Sequence, residues 1–288
     1  MSVREVRAIG HEALLLATKL LQRARRADLQ RGLWEAADVQ WWWRKPRASD
    51  EVEKLFWVDD EGPAGGALLT SWNDDAWQCD PVVVPGAPGL EPSFVWRRAI
   101  EHAATHSNQG FEVPVSDDDR TFTELAKRSG LTAGRSDSTA WMDAADRPTD
   151  PAVPAGFVLV DRTQRRRHPH PLRLRNGDEV EQRLAQCSLY DPALDLAFET
   201  ADGRVAGYSL YWFDPTTRVG LVEPVRVEEE FWRRGLAGAM LTAGIDRLVR
   251  RGAQRIKVSY ESEAAAALYQ GVGFRPKSTA TWYRALPN

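Results

Sequence analysis

The chain has 288 residues, 43% of them hydrophobic and 27% charged, with a net charge of −3, which fits two globular domains of about 140 residues better than one. A weakly acidic whole argues against nucleic acid as a partner, because phosphate binding needs a basic face. Cys79 and Cys187 are the only cysteines, which gives no disulfide framework and suits a reducing cytoplasm.

In chain order, the first apolar run, at 14–18, is closed by Lys19 and preceded by Arg4, Glu5, Arg7 and Glu12. Neither a signal peptide nor a membrane span is expected, since a span needs about 20 apolar residues. Trp41, Trp42 and Trp43 follow, part of a set of nine tryptophans, of twelve in all, that precede residue 147. Three in a row cannot share one helix face, so some are expected to meet a second surface, either in packing between domains or as an aromatic wall of an acceptor pocket. Residues 56–69 read as strand, turn, strand. Residues 82–93 hold Pro85, Gly86, Pro88, Gly89 and Pro92 and no basic residue, and read as a loop poor in amide donors. The stretch 146–156, with Pro148, Pro151 and Pro154 and no periodic pattern, reads as an extended linker. The domains are accordingly placed at 1–147 and 156–288, with 148–155 between them.

After the linker the expected order is a strand at 157–161, a helix at 178–187, a strand pair at 194–200 and 205–213, a strand at 220–227 and a helix at 234–251. A strand at 255–260, a helix at 264–272 and a strand at 279–286 complete it. The long helix carries Leu236, Met240, Leu241, Gly244, Ile245 and Leu248 on one face and Asp246, Arg247, Arg250 and Arg251 on the other, a period of 3.6 residues. Strand, glycine-bearing loop, helix, strand is a right-handed crossover, so 220–227 and 255–260 should run parallel. Arg165, Arg166, Arg167, Arg173 and Arg175 read as a solvated surface. His168 and His170 lack a partner at ligand spacing, so no metal site is expected.

The halves overlay. Laying Gly62 on Gly203 brings Gly66 onto Gly207 and Leu69 onto Leu210, and further on Leu125, Ala126, Gly130 and Leu131 fall on Leu268, Tyr269, Gly273 and Phe274. This is one domain repeated, but unequally. Ala126 stands where the second copy has Tyr269, and 82–93 lacks the charges of the matching second-half loop, so the chemistry is assigned to 155–288.

That loop runs from an apolar strand through Glu223, Val225, Arg226 and Val227, and through Arg233-Arg234-Gly235-Leu236-Ala237-Gly238, into the long helix. Small residues where a helix begins let amide N–H groups point at one ligand, and the helix end adds about half a positive charge. Arg233 and Arg234 add two more charges, so a pyrophosphate is the expected guest. Neither a Walker A loop nor a Gly-x-Gly-x-x-Gly turn is present. With Ala265, Leu268, Tyr269, Gly273 and Phe274 following, the pattern resembles the GNAT acetyltransferase superfamily, whose loop reads Arg/Gln-x-x-Gly-x-Gly/Ala and whose later signature is Asn-x-x-Ala-x-x-Leu-Tyr-x-x-x-Gly-Phe. Trp232 stands where the loop usually has Arg or Gln, and Ser262 where Asn is usual.

The resemblance implies an α/β (α+β) protein of two tandem GNAT-like domains, the first degenerate, similar in arrangement to two-domain members of the superfamily. Each would hold a mixed, mostly antiparallel sheet flanked by helices, with splayed parallel strands at the acyl-CoA site. It implies acetyl-CoA as cofactor, held by Val225, Arg226, Val227, Arg233, Arg234, Gly235, Leu236, Ala237, Gly238, Ser262 and Tyr269. An acceptor amine with a pKa near 10 needs a base. Glu223, a carboxylate in an apolar strand, is the candidate, its pKa expected to rise on burial; the alternative is a strand-bulge carboxylate satisfied by backbone amides. Tyr269 is the candidate acid beside the thioester sulfur; as a plain core tyrosine it would have no such role. The expected reaction is N-acetylation of a primary amine on a small metabolite or antibiotic by direct attack, in a cytoplasmic monomer or homodimer. A protein lysine or N-terminal amine is the alternative acceptor, and a non-catalytic acyl-CoA sensor the alternative function.

Overall fold

The computed structural model describes residues 3–73, 76–107, 110–149, 152–165 and 168–285. Arg166, Arg167 and residue 286 therefore lie outside the described residues. In the first half the elements are β1 (Arg4–Ala8), α1 (Gly10–Ala27), α2 (Ala36–Trp43), β2 (Lys54–Asp59), β3 (Gly62–Ser71), β4 (Trp77–Val83), α3 (Pro92–His106), β5 (Phe111–Ser116), α4 (Arg120–Arg128) and β6 (Thr132–Asp143). The second half holds β7 (Phe157–Asp161), α5 (Arg173–Asn176), α6 (Val180–Gln186), β8 (Asp195–Thr200), β9 (Val205–Asp214), β10 (Val219–Val227), α7 (Leu236–Arg251), β11 (Arg255–Tyr260), α8 (Glu263–Gly271) and β12 (Arg275–Ala285).

One plan is used twice. In the first half β1, β2, β3, β4 and β5 lie side by side in that order, and in the second β7, β8, β9, β10 and β11 do the same. Within each set only β4 with β5 and β10 with β11 are parallel, as the long crossover through α3 or α7 requires. The repeat read from the glycine overlay is thus a repeat of topology, and each sheet is mixed, mostly antiparallel and flanked by helices.

The chain divides into two units, 1–137 with 278–288, and 138–277. The boundary read from the prolines, at 148–155, falls inside the second of these. The cause is an exchange of closing strands. Residues 138–143 of β6 pair antiparallel with 255–260 of β11, and residues 280–285 of β12 pair antiparallel with 111–116 of β5. Two halves each closed on itself would have paired β6 with β5 and β12 with β11. In the first unit Tyr283 joins the core of Leu55, Trp57, Val95, Trp96 and Val113. Met142 joins the second unit's core, with Leu241, Ile245, Leu248, Ile256, Val258, Tyr269 and Phe274.

Two of the three adjacent tryptophans pack inside the first unit. Trp41 and Trp42 are buried; Trp42 meets Trp34 and Trp72 edge-on at 4.9 and 5.6 Å, and the Arg44 guanidinium lies 3.4 Å from the centroid of Trp41.

α7 begins two residues later than its apolar pattern suggests, because Gly235 adopts a left-handed conformation (φ 77°) as its N-cap, and it ends at the left-handed Gly252. The helix lies close on β9: a Cβ added at Gly244 would come within 2.0 Å of the Tyr211 ring, whose hydroxyl donates to the Met240 carbonyl at 2.6 Å. Gly244→Ala is therefore expected to destabilise the protein by about 1–3 kcal/mol through overpacking, read as a lower denaturation midpoint at unchanged m-value. An unchanged midpoint would mean that α7 can shift away from the sheet at no cost.

Candidate active site

The site forms where β10 leaves its parallel neighbour. β10 and β11 pair only over Val219–Leu221 with Arg255–Lys257. β10 then continues to Val227 on β9, and β11 to Tyr260 on β6. Both remain strands, but they part from each other, so a wedge with unpaired backbone edges opens at their C-terminal ends, the place where open α/β sheets take ligands.

A bulge sits at the fork. Val222 pairs with Tyr211 and Val225 with Ser209, so Glu223 and Pro224, joined by a cis peptide bond, oppose the single residue Leu210. Trp212 Nε1–H donates to the Glu223 carbonyl at 2.9 Å and fixes this turn of the strand. Bulges re-aim side chains, and here the carboxylate of Glu223 comes within electrostatic range of the Tyr269 hydroxyl. Past the bulge, the bond from Glu228 N–H to Ala206 O sets the alternation. Arg226 turns its amide and carbonyl to β9, while Val225 and Val227 turn theirs to the wedge. Trp232, exposed, closes one of these by donating Nε1–H to the Val227 carbonyl at 2.9 Å.

The start of α7 completes the site. The helix ladder begins with Ala239 N–H donating to Gly235 O at 3.0 Å. The amides of Gly235, Leu236, Ala237 and Gly238 therefore precede the first intrahelical bond and have no partner within the helix, and no side chain caps them. Added Cβ atoms at Gly235 and Gly238 would meet nothing within 4 Å, so the amides are approachable. Arg233 also has a positive φ (60°), which turns the chain sharply into the helix. Arg234 lies 5.5 Å from the Phe231 ring centroid, and Arg233 has no ion-pair partner among the described residues. The glutamates before the helix are engaged: Glu228 with Arg175 and Arg226, Glu230 with Arg204. Glu229 and Glu230 are exposed.

Tyr269, on α8, is buried, with ring contacts to Tyr260 at 6.0 Å and Phe274 at 5.9 Å. Burial, and then the charge of Glu223, hold its phenol above the ordinary value, so it stays a protonated donor. Ser262 caps α8, its Oγ accepting from Ala265 N–H at 3.2 Å. The sequence pattern thus brings Glu223, Val225, Val227, Tyr269 and the amides of 235–238 to one end of the strand pair. The strand register instead turns the backbone of Arg226 to β9, and Ser262 Oγ is engaged with its own helix. The bulge, Trp212 and Tyr260 were missed, although the Glu-Pro pair inside an apolar strand was their visible sign.

The His170 ring is engaged on both nitrogens. His170 is buried; its Nδ1 accepts from Leu172 N–H at 3.0 Å, which leaves Nε2–H to donate to Asp195 at 2.7 Å, beside the Tyr190 hydroxyl on the same oxygen. No helix among the described residues is long and apolar enough to cross a membrane.

Comparison with known proteins gives the family and the fold. Residues 137–274 match the model of the acetyltransferase (GNAT) family. A mycothiol acetyltransferase of Clavibacter michiganensis subsp. michiganensis is 34% identical, over 89% of this chain and 92% of its own. One of Clavibacter sepedonicus is 28% identical with the same coverage. Among solved structures, a tandem GNAT protein from the clavulanic acid biosynthesis pathway superposes with a TM-score of 0.68 at 17% identity, over 100% of this chain and 99% of that one. A GCN5-related N-acetyltransferase of Sphaerobacter thermophilus gives 0.61 at 18% identity, over 99% and 96%.

Proposed function

For a chain that belongs to the acetyltransferase (GNAT) family and is an N-acetyltransferase, we propose that the second unit moves the acetyl group of acetyl-CoA to the primary amine of a small metabolite or antibiotic by direct attack. The observation that carries this reading is the coincidence of two features at one end of β10: helix amides without a partner among the described residues beside Arg233 and Arg234, and a strand wedge in which the Val227 carbonyl is taken by Trp232. The amides of 235–238 suit a diphosphate. The edges of Val225 and Val227 suit the amides of a pantetheine arm. When bound, acetyl-CoA supplies an activated acyl group as a thioester.

The chain's own residues then divide the proton work. Glu223, aimed by the bulge, takes the proton that makes the amine nucleophilic. Tyr269 donates a hydrogen bond to the departing sulfur. Its raised pKa makes full transfer to a thiolate more uphill than for an ordinary phenol, so stabilisation by hydrogen bond dominates. The two steps assist each other, because a Glu223 that has picked up a proton no longer raises the Tyr269 pKa. Relatives named mycothiol acetyltransferase support a small acceptor over a protein one.

A panel of small primary amines and lysine peptides, screened with acetyl-CoA for release of free thiol, tests the reading. Turnover with at least one small amine, and none above background with the peptides, is expected. Turnover confined to the peptides would replace the small-acceptor reading by the protein one.

A further inference from the structure

The first unit keeps the strand plan of the second without its chemistry. β4 and β5 pair in parallel at Gln78 and Glu112; β4 then continues on β3 through Val82 and Val83, and β5 continues on β12 to Ser116. Between them lies a cavity of about 380 Å³, within the range of about 300–1,000 Å³ usual for small-molecule sites. Leu21, Leu90, Val115 and Phe122 give it apolar walls, and Asp80 and Trp34 line it.

Asp80 is the feature in need of a partner. It is 2% exposed. Its oxygens accept from Gln78 Nε2–H at 2.8 Å and from Trp34 Nε1–H at 2.8 Å, all neutral donors, and no cation pairs with it among the described residues. Burial, against those hydrogen bonds, pushes its carboxyl up to about 7, with Asp38 adding to the rise. A buried carboxylate without a cation is costly. The buried guanidinium nearby, Arg25, is committed to Glu35 and to the carbonyls of Arg31 and Gly32.

The same cavity is hostile to an anion. Residues 81–92 contain no Lys or Arg and four prolines without N–H groups. The N-cap of α3 is Glu91, and Asp118 and Asp119 line the opposite wall. Arg31, at the mouth, lies 3.8 Å from Asp28.

We propose that this cleft is a second ligand site, taking a small organic cation, an amine with an apolar body seated on Asp80, and not a nucleotide. The ammonium supplies the charge that Gln78 and Trp34 cannot, and the apolar walls cover its body. This site is separate from the acetyl-transfer site and stands whether or not the acceptor there is a small amine.

Calorimetry on the whole chain without acetyl-CoA tests it, with tryptamine as probe and its neutral alcohol, tryptophol, as control. Tryptamine should bind about tenfold or more tighter than tryptophol, the worth of one buried charge-assisted hydrogen bond. Binding should strengthen as pH rises through about 7, where Asp80 ionises. The groups facing it are Asp38 on α2, the Arg25–Glu35 pair, and Arg31, Glu91, Asp118 and Asp119 around the cavity. Asp80→Asn, nearly isosteric, should lose the preference for the amine, whereas Glu223→Gln should keep it, which separates this cleft from the transfer site. Thr121→Trp, at an exposed position on the cavity wall, narrows the entrance without touching the core and should weaken tryptamine as well. CoA should bind once per chain, and roughly a hundred- to a thousandfold more weakly in Gly235→Asp. Equal binding of amine and alcohol, wild-type affinity in both cleft variants, or a second equivalent of CoA would overturn the proposal.

Discussion

Tyr269→Phe is expected to lower kcat by roughly a hundred- to a thousandfold, the usual effect of removing one hydrogen-bond donor from a developing anion, while the KM for acetyl-CoA changes little. The phenyl ring keeps the contacts with Tyr260 and Phe274, and the only atom lost is a buried hydroxyl. The melting temperature should therefore hold or rise. A loss confined to kcat marks an interaction made in the transition state and not in the bound complex. Steady-state thiol release at saturating acetyl-CoA measures it, and an unchanged kcat would remove Tyr269 from the chemistry.

Gly235→Asp should act on the other side of the same ratio. An added Cβ meets no atom within 4 Å, so the substitution is not excluded by crowding. Its left-handed φ of 77° costs a non-glycine residue about 1–2 kcal/mol, less for Asp than for most. The effect falls on the ligand. Asp is among the best N-caps, so its carboxylate takes the amides of 237 and 238 for itself and places a negative charge where a diphosphate would sit. Like charges about 4 Å apart near a protein surface repel by about 4 kcal/mol, so KM for acetyl-CoA should rise by roughly a hundred- to a thousandfold. At saturation kcat should stay near the parent value. Gly235→Ala, which keeps the amides and adds no charge, is the control; if it weakens the cofactor as much as Asp does, backbone shape and not charge explains the loss.

The signals that made the site legible are local. β7 and β11 were read residue for residue, because the apolar run of the one and the strict alternation of the other fix a strand whatever its neighbours. The cradle was legible because glycines beside arginines at a helix start are a backbone statement. Where expectation and structure part, the missing information is non-local. The expected helix at 178–187 forms as α6, but the short α5 ahead of it, closed by the left-handed Gly177, was not expected. The bulge at Glu223 exists only relative to the register of β9. The exchange of β6 and β12 leaves no trace in either strand, since an alternating strand presents the same pattern to any partner edge. Nor does the first-half loop betray a cavity: its prolines report what it cannot hold, while Asp80 lies in a strand that reads as ordinary core.

The exchange sets a timetable for biosynthesis. Domains generally fold as units, N-terminal first, while the ribosome is still translating. Here the edge of β5 waits for residues 280–285, which are made after β7 to β11, so the first-made half remains with an open edge until the second has emerged. A chain stalled within the second half would expose that edge to other nascent strands, and a chain cut before residue 280 should be injured in its first-made half.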